Sequence, residues 1–306
     1  MTMSNQRLDL VIRAALHVGL LAGIFVCLTF LGWGEAIGMF RGGASADLSP
    51  DPEEQTATAS NALSVISDGE ELVYEVSWWP FKLGQIRINT RVTHAADGSL
   101  RPTAVAHIDS YGNLPFVDVH TVSETEMDSS LYSLDAKSVE KKGNEWWSLR
   151  HHFNPATKQL IIEDSWSKTP DSPPYKPPTF DTLVVHGELQ DGLSILFYTR
   201  SRLHSKKSFR FPTIVYKKLG QTTLHFTDET SNVGIDAHSE PIATKGFTGL
   251  AEFEGLFGLS GEFEGWFSND AAAVPIKAKL GVIVGKIDIE LIEWKHSGWT
   301  PPHEKD

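Results

Sequence analysis

The side chains that could do chemistry in this chain fall into four groups. Trp78, Trp79, Phe81, Trp146 and Trp147 are large flat rings that could line a pocket for an acyl chain or a glycan. Adjacent tryptophans on a strand point to opposite faces, so one ring of each pair belongs to a core and the other to a half-exposed surface. His151 and His152 are adjacent too. On a strand they face opposite ways and cannot chelate one metal together; either could join His107 or His120 across strands, but no motif with metal-ligand spacing supports that. Glu252, Glu254, Glu262 and Glu264 lie in a quasi-repeat, Ala251-Glu252-Phe253-Glu254-Gly255 and Gly261-Glu262-Phe263-Glu264-Gly265. Paired as a hairpin, this repeat would turn Phe253 and Phe263 inward and the glutamates outward. Gathered carboxylates could bind calcium or serve acid–base chemistry, but a solvated acidic face is the simpler and preferred reading. Asp191, Arg200 and Arg202 could form a charged site, although helix capping and surface pairing account for the same residues.

Other chemistries lack their residues. No phosphate-cradling glycine loop, HExxH motif or EF-hand loop occurs. Gly258-Leu259-Ser260-Gly261 approaches a nucleophile elbow but lacks its spacing and lies among strands, so it reads as a turn. The single cysteine, Cys27, sits in an N-terminal apolar run. The rest of the chain therefore has no disulfide, cysteine-ligated zinc, iron–sulfur cluster or thiol nucleophile. A net charge of −12 without a basic stripe argues against nucleic-acid binding and against electrostatic docking of the globular part on anionic lipid. No cofactor or metal is expected, and protein partners are not readable.

The elements that would position these residues begin with that apolar run. Ala14 to Trp33 contains one ionisable side chain, His17, and follows Arg7 and Arg13. About 20 apolar residues cross a bilayer as a helix. The basic flank keeps residues 1–13 in the cytoplasm and places the remainder outside. Residues 14–33 are thus expected to be an inner-membrane anchor. Ala44-Ser45-Ala46 offers a signal-peptide cleavage site, more than ten residues beyond the run, and cleavage there would release the chain to the periplasm. Residues 34–67 read as a flexible spacer, because Gly42 to Ser67 is rich in small and polar residues.

From Glu70 the pattern changes. Leu72, Tyr74, Val76 and Trp78 alternate with Glu71, Val73, Glu75 and Ser77, which predicts a half-buried strand. Gln85 to Val92 repeats the alternation after a turn at Leu83-Gly84, making a hairpin. Further strands are expected at Thr103–Ser110, Val117–Glu124, Ala136–Lys141, Glu145–Phe153, Gln159–Asp164, Phe209–Lys217, Thr222–Thr227, Phe247–Phe253, Gly261–Ser268, Val274–Leu280 and Lys286–Trp294. Thr169 to Pro178, TPDSPPYKPP, is excluded from a sheet interior and reads as a long surface loop or a polyproline recognition segment. Asp191 to Leu203 carries Leu193, Leu196, Phe197 and Arg200 at helical spacing, which predicts one short helix with its apolar face on the sheet.

These residues carry a resemblance. Gly69-Glu70-Glu71-Leu72-Val73-Tyr74 leading to Gly84, then Asp191-Gly192-Leu193-Ser194 with Tyr198 and Arg200, resemble the opening and middle of the bacterial domain-of-unknown-function family 3108. Trp266-Phe267-Ser268 with Asp270, Val274-Pro275-Ile276, Gly285 and Leu291 are similar to its ending. The resemblance covers about residues 68 to 294. It implies an exported, β-rich envelope protein with no known reaction and no catalytic residues to carry over. The Pro-rich insert and the long anchor depart from the pattern.

The expected fold is mostly β: an antiparallel curved sheet, or an open barrel or sandwich, of about thirteen strands with one short helix, preceded by one N-terminal transmembrane helix. The β domain would occupy residues 68–295 and a disordered tail residues 296–306. The expected function is non-enzymatic: binding of a lipid-like or other amphipathic ligand in a β concavity. An assembly protein working through protein contacts and a hydrolase with an acidic site are the rivals.

Overall fold

In a computed structural model of the chain, the described residues are 63–112, 118–252, 259–282 and 286–303. The expected anchor at 14–33 and most of the spacer lie outside them. Among the described residues no helix is long and apolar enough to cross a membrane.

The strands are β1 (Glu71–Trp78), β2 (Phe81–His94), β3 (Leu100–Ser110), β4 (His120–Met127), β5 (Ser133–Lys142), β6 (Glu145–Asn154), β7 (Gln159–Ser167), β8 (Thr179–Val184), β9 (Ser208–Val215), β10 (Lys218–Ile235), β11 (His238–Glu252), β12 (Leu259–Ser268), β13 (Pro275–Val282) and β14 (Lys286–Lys295). Among the described residues one helix, α1 (Ser194–Arg202), stands between β8 and β9, and one 3-10 turn, Leu63–Val65, precedes the sheet. All fourteen strands form one sheet in the order β8-β7-β6-β5-β4-β3-β2-β1-β14-β13-β12-β11-β10-β9. Every strand pairing in it is antiparallel. The chain therefore makes two meanders, joined where the first strand meets the last.

The alternation seen in the sequence sets the buried face. Tyr74 lies opposite Ile86 and Leu72 opposite Ile88, and all four side chains are buried. β14 repeats this with Ile287, Ile289 and Leu291. The one strand beyond the expected thirteen is β8, TFDTLV, directly after the Pro-rich connection. It is an edge strand with no buried residue, so burial leaves no alternation to read. In β11 and β12 the core closes over two glycines. Gly249 lies opposite Phe263, and a Cβ on Gly249 would fall 2.1 Å from that ring. Gly265 stands under Phe247 in the same way.

The sheet rolls past its own edge. β9 does not bond to β8; instead Ile214, with Tyr216 beside it, packs onto Trp147, Leu149, Phe153, Leu160 and Ile162 on the buried face of β6 and β7. This small core is separate from the main one, which spans β1 to β4 and β9 to β14 and encloses the helix. The backbone of β9 is satisfied from inside: Gln190 N–H donates to Pro212 O at 3.0 Å, and Ile214 N–H donates to Gln190 O at 2.9 Å. β8 is left as the outer edge, with Phe180 61 % and Val184 60 % exposed.

Two expectations are corrected. The helix was expected to rest one apolar face on the sheet, but every residue from Ser194 to Arg200 is buried, because the rolled sheet surrounds it. The tail was expected to be disordered from residue 296, but it is packed as far as it is described. Trp299 stacks edge-on against Trp294 at 5.7 Å, and Ala243 N–H donates to Pro302 O at 2.8 Å. At the other boundary, Val65, expected in the spacer, lies in the main core.

Candidate functional site

An antiparallel meander sorts its turns onto two ends. The β2–β3, β4–β5, β6–β7, β10–β11 and β12–β13 turns share one end with the helix, and the β1–β2, β5–β6, β7–β8 and β9–β10 turns share the other. All five predicted aromatic residues fall at the second end, in two separate groups.

The first group is the tip of the β1–β2 hairpin. Trp78 pairs with Phe81 across a turn made of Trp79 and Pro80. Trp78 packs inward against the main core, and its ring stacks on Phe81 with centroids 6.2 Å apart. Trp79 projects outward, 87 % exposed, while Phe81 lies on Trp78's face at the rim and keeps 44 % of its surface exposed. Lys82 follows, its ammonium 2.8 Å from Glu75. Trp79 alternates away from Trp78 as the strand period requires. Pro80 has no N–H to continue the ladder, so the chain turns there and leaves the rings on its apex.

The second group is mostly structural. Trp147 is buried, its Nε1–H donates to Asp164 Oδ1 at 2.8 Å, and its ring stacks on Tyr216 at 5.3 Å. Trp146 is half-buried on the opposite face. Nearby, Lys168 lies 4.7 Å over the Tyr175 ring in the Pro-rich connection, and Glu145 receives Lys168 at 2.5 Å.

The other candidates resolve differently. His151 points inward and His152 outward, as their parity predicts. His152 meets Asp135 at 3.1 Å. His151 donates from Nε2 to Tyr216 O at 2.5 Å, so its Nδ1 carries the lone pair. Burial pushes its pKa below the usual value of 6.5, against the opposing pull of the Tyr216 carbonyl and the Asp191 and Asp135 carboxylates. His151 lines a small pocket of about 50 Å³ with Ser123, Ser138, Asp191, Ile214 and Tyr216, room for a few waters.

β11 and β12 pair as a hairpin and Phe263 is buried, but the register sets Phe263 opposite Gly249 and Glu264 opposite Thr248, so the two halves of the quasi-repeat do not face each other as expected. Phe253 and Glu254 lie outside the described residues. Glu252 is held by Arg210 at 2.8 Å and Glu264 by Lys286 at 2.8 Å, so these carboxylates serve different neighbours. Among the described residues no group of three or more His, Cys, Asp or Glu is arranged to hold a metal.

Asp191 caps the helix: Oδ1 accepts from Leu193 N–H at 2.7 Å and Ser194 N–H at 3.1 Å, and Oδ2 accepts from Thr125 at 2.5 Å. Surface pairing, expected for the helix arginines, fails for Arg200. It is 1 % exposed and bonds Glu70 through two nitrogens at 2.7 and 2.9 Å, with a third bond to Ala272 O at 3.0 Å. Glu70 was missed as its partner, since it lies 130 residues away. An arginine directly after the apolar run Ile195–Tyr198 and Thr199 was the one signal in the sequence. Arg202 covers the Tyr198 ring at 5.0 Å.

Comparison with known proteins agrees with this architecture. The model of the family described as "Protein of unknown function (DUF3108)" matches residues 73–292. The crystal structure of a β-barrel-like protein of domain of unknown function DUF1849 from Brucella abortus is similar, with a TM-score of 0.50 and 8 % identity, covering 76 % of this chain and 100 % of that one. That likeness concerns the fold alone. A protein described as exported, with a YmcC-like fold, from Bacteroides fragilis aligns at a TM-score of 0.32 and 6 % identity, covering 75 % of this chain and 97 % of that one. No curated protein matches the chain. On its rolled antiparallel sheet and on the span of the family match, the chain belongs to the DUF3108 family, whose function is unknown.

Proposed function

We propose that the protein is a non-enzymatic component of the bacterial cell envelope, with its β domain outside the cytoplasm, and that it takes a lipid-like or other amphipathic ligand at the aromatic end of its sheet. The location rests on the apolar run Ala14–Trp33 and its arginine flank. The single observation that carries the ligand class is the hairpin tip, where Trp79 and Phe81 are held out to solvent. A concavity inside the sheet has less support, because the main core there is filled by α1 and by Phe226, Phe247, Phe263 and Phe267. The hydrolase reading loses support as Glu252 and Glu264 are taken up by Arg210 and Lys286.

The test is native mass spectrometry of the full chain extracted in mild detergent. Lipid adducts are expected, and Trp79→Ala with Phe81→Ala should remove most of them. Absence of adducts, or adducts indifferent to the two substitutions, would sink the reading.

One observation favours the assembly reading as a second. β8 is an open edge carrying exposed Phe180 and Val184, and such edges pair with other chains unless protected. A photo-crosslinker at Thr182 that captures one reproducible protein in cells, while one at Trp79 captures none, would put this reading first.

A further inference from the structure

We infer that the amphipathic partner of the aromatic end is a bilayer surface, into which the β1–β2 tip dips as a second membrane contact of the domain. This deepens the ligand reading above and rests on it.

The shape of the site decides between a single lipid molecule and a membrane. A pocket buries most of its ligand between concave walls. The tip is convex instead: Trp79 is 87 % exposed at the apex of a hairpin, and Trp78 and Phe81 stack behind it as a base. An apex cannot enclose an acyl chain, but a bilayer interface can enclose an apex. The side-chain types fit that interface. Tryptophan settles at the boundary between headgroups and hydrocarbon, and a lysine stem lies along apolar matter while its ammonium stays in water. Tyr175, also exposed, and Lys168 stand at the β7–β8 connection on the same end.

The chain outside the described residues brings a membrane within reach. It carries the apolar run that ends at Trp33, about 30 residues before Leu63. A connection of about 30 residues can span up to about 100 Å. β1 has eight residues and separates the two ends by about 26 Å. The tip can therefore meet the bilayer although the chain enters the domain at the opposite end. Charge sets the lipid preference. The chain carries −12, so the contact depends on the aromatic tip and not on attraction to anionic headgroups.

The experiment uses the full chain with Cys27→Ala, reconstituted into vesicles of phosphatidylcholine and phosphatidylethanolamine containing a brominated phosphatidylcholine. An environment-sensitive fluorophore is attached at Lys82→Cys, beside the tip, or at Ala96→Cys, in the β2–β3 turn of the opposite end. Quenching by the brominated lipid is expected at position 82 and not at 96. Adding Trp79→Ala and Phe81→Ala should remove most of it, because the apex ring and the exposed part of its base are then gone. Adding anionic lipid should leave it unchanged. Absent quenching at 82, equal quenching at both ends, or quenching that ignores the two substitutions overturns the inference. Lipid adducts of the extracted chain that depend on Trp79 and Phe81, without quenching at 82, would leave the ligand reading standing and remove only the bilayer. Neither signal would remove both.

Discussion

The two ends of this sheet solve opposite problems. At the helix end the polar groups are numerous, mostly buried and mostly paired, although Arg200 Nε, Arg202 Nε and Ser205 Oγ are buried without a hydrogen-bond partner among the described residues. Arg200 donates two hydrogen bonds to the Glu70 carboxylate and a third to Ala272 O, and His296 approaches Glu70 to 3.6 Å. Asp270 Oδ1 gathers Ser268 and the N–H groups of Ala272 and Ala273, while its Oδ2 holds Trp299. At the aromatic end the large apolar rings Trp79 and Phe81 are turned to solvent. A domain with its charges inside at one end and its rings outside at the other has its stability and its contacts in different places. Substitutions should separate these two properties.

The largest effect should come from Arg200→Met. A buried ion pair contributes little net stability, since desolvation offsets the Coulombic gain, but removing one partner strands the other. Glu70 would be left buried and uncompensated, at a cost of about 3–5 kcal/mol in urea unfolding. Glu70→Leu combined with Arg200→Met should recover most of that loss. A single variant as stable as the parent would mean that this end is not what holds the helix in place.

Asp270→Ala tests the same end one level down. It removes a charged acceptor from two backbone N–H groups and releases the Trp299 indole. The expected loss is about 1–3 kcal/mol. Faster amide exchange should appear at Trp299 and at Ala243, whose N–H bonds Pro302 O. Exchange unchanged at Ala243 would show that the tail is held without the Asp270 tie.

Between the ends, His151 makes the seam of the rolled sheet sensitive to acid. Burial lowers its pKa in the folded chain below the usual 6.5, so the unfolded chain takes up its proton first. Stability is unaffected well above pH 6.5 and declines as pH falls from about 6.5 through the lowered folded value. Asp128 acts in the opposite sense further down, because burial raises its pKa. His151→Gln, which can still donate to Tyr216 O, should flatten the decline that begins below pH 6.5. An identical slope in the variant would assign the decline to other groups.

Most of the fold was legible because strand periodicity is local. Leu72, Tyr74 and Val76, or Ile287, Ile289 and Leu291, declare a buried face without reference to the rest of the chain. β8 was not legible, since an outer edge strand buries nothing and its residues obey no alternation. The overlap of β9 with β6 and β7 was hidden for another reason: Ile214 meets Trp147 and Ile162 through the global curvature of fourteen strands, which no window of sequence contains. The aromatic site was half legible. Parity separated Trp79 from Trp78 and Trp146 from Trp147, but it could not tell that the second pair faces a seam closed by Tyr216. Arg200 was readable as a helix residue and unreadable as a buried one, because its burial depends on Glu70, 130 positions away.

The smallest effect on stability should come from Trp79→Ala, and it bears hardest on the contrast between the ends. A tryptophan removed from a core costs several kcal/mol, because its atoms leave a cavity and lose their transfer energy. Trp79 is 87 % exposed, so little of its surface leaves water on folding and no cavity follows its loss. Unfolding free energy should stay within about 0.5 kcal/mol of the parent. Trp78, which packs on the main core behind it, should cost far more when truncated. The contrast is sharpest if Trp79→Ala leaves stability alone while lowering lipid contact, because a ring that folding does not need is then kept for what it touches. A loss of 2 kcal/mol or more would instead make the ring part of the packing and erase the difference between the two ends.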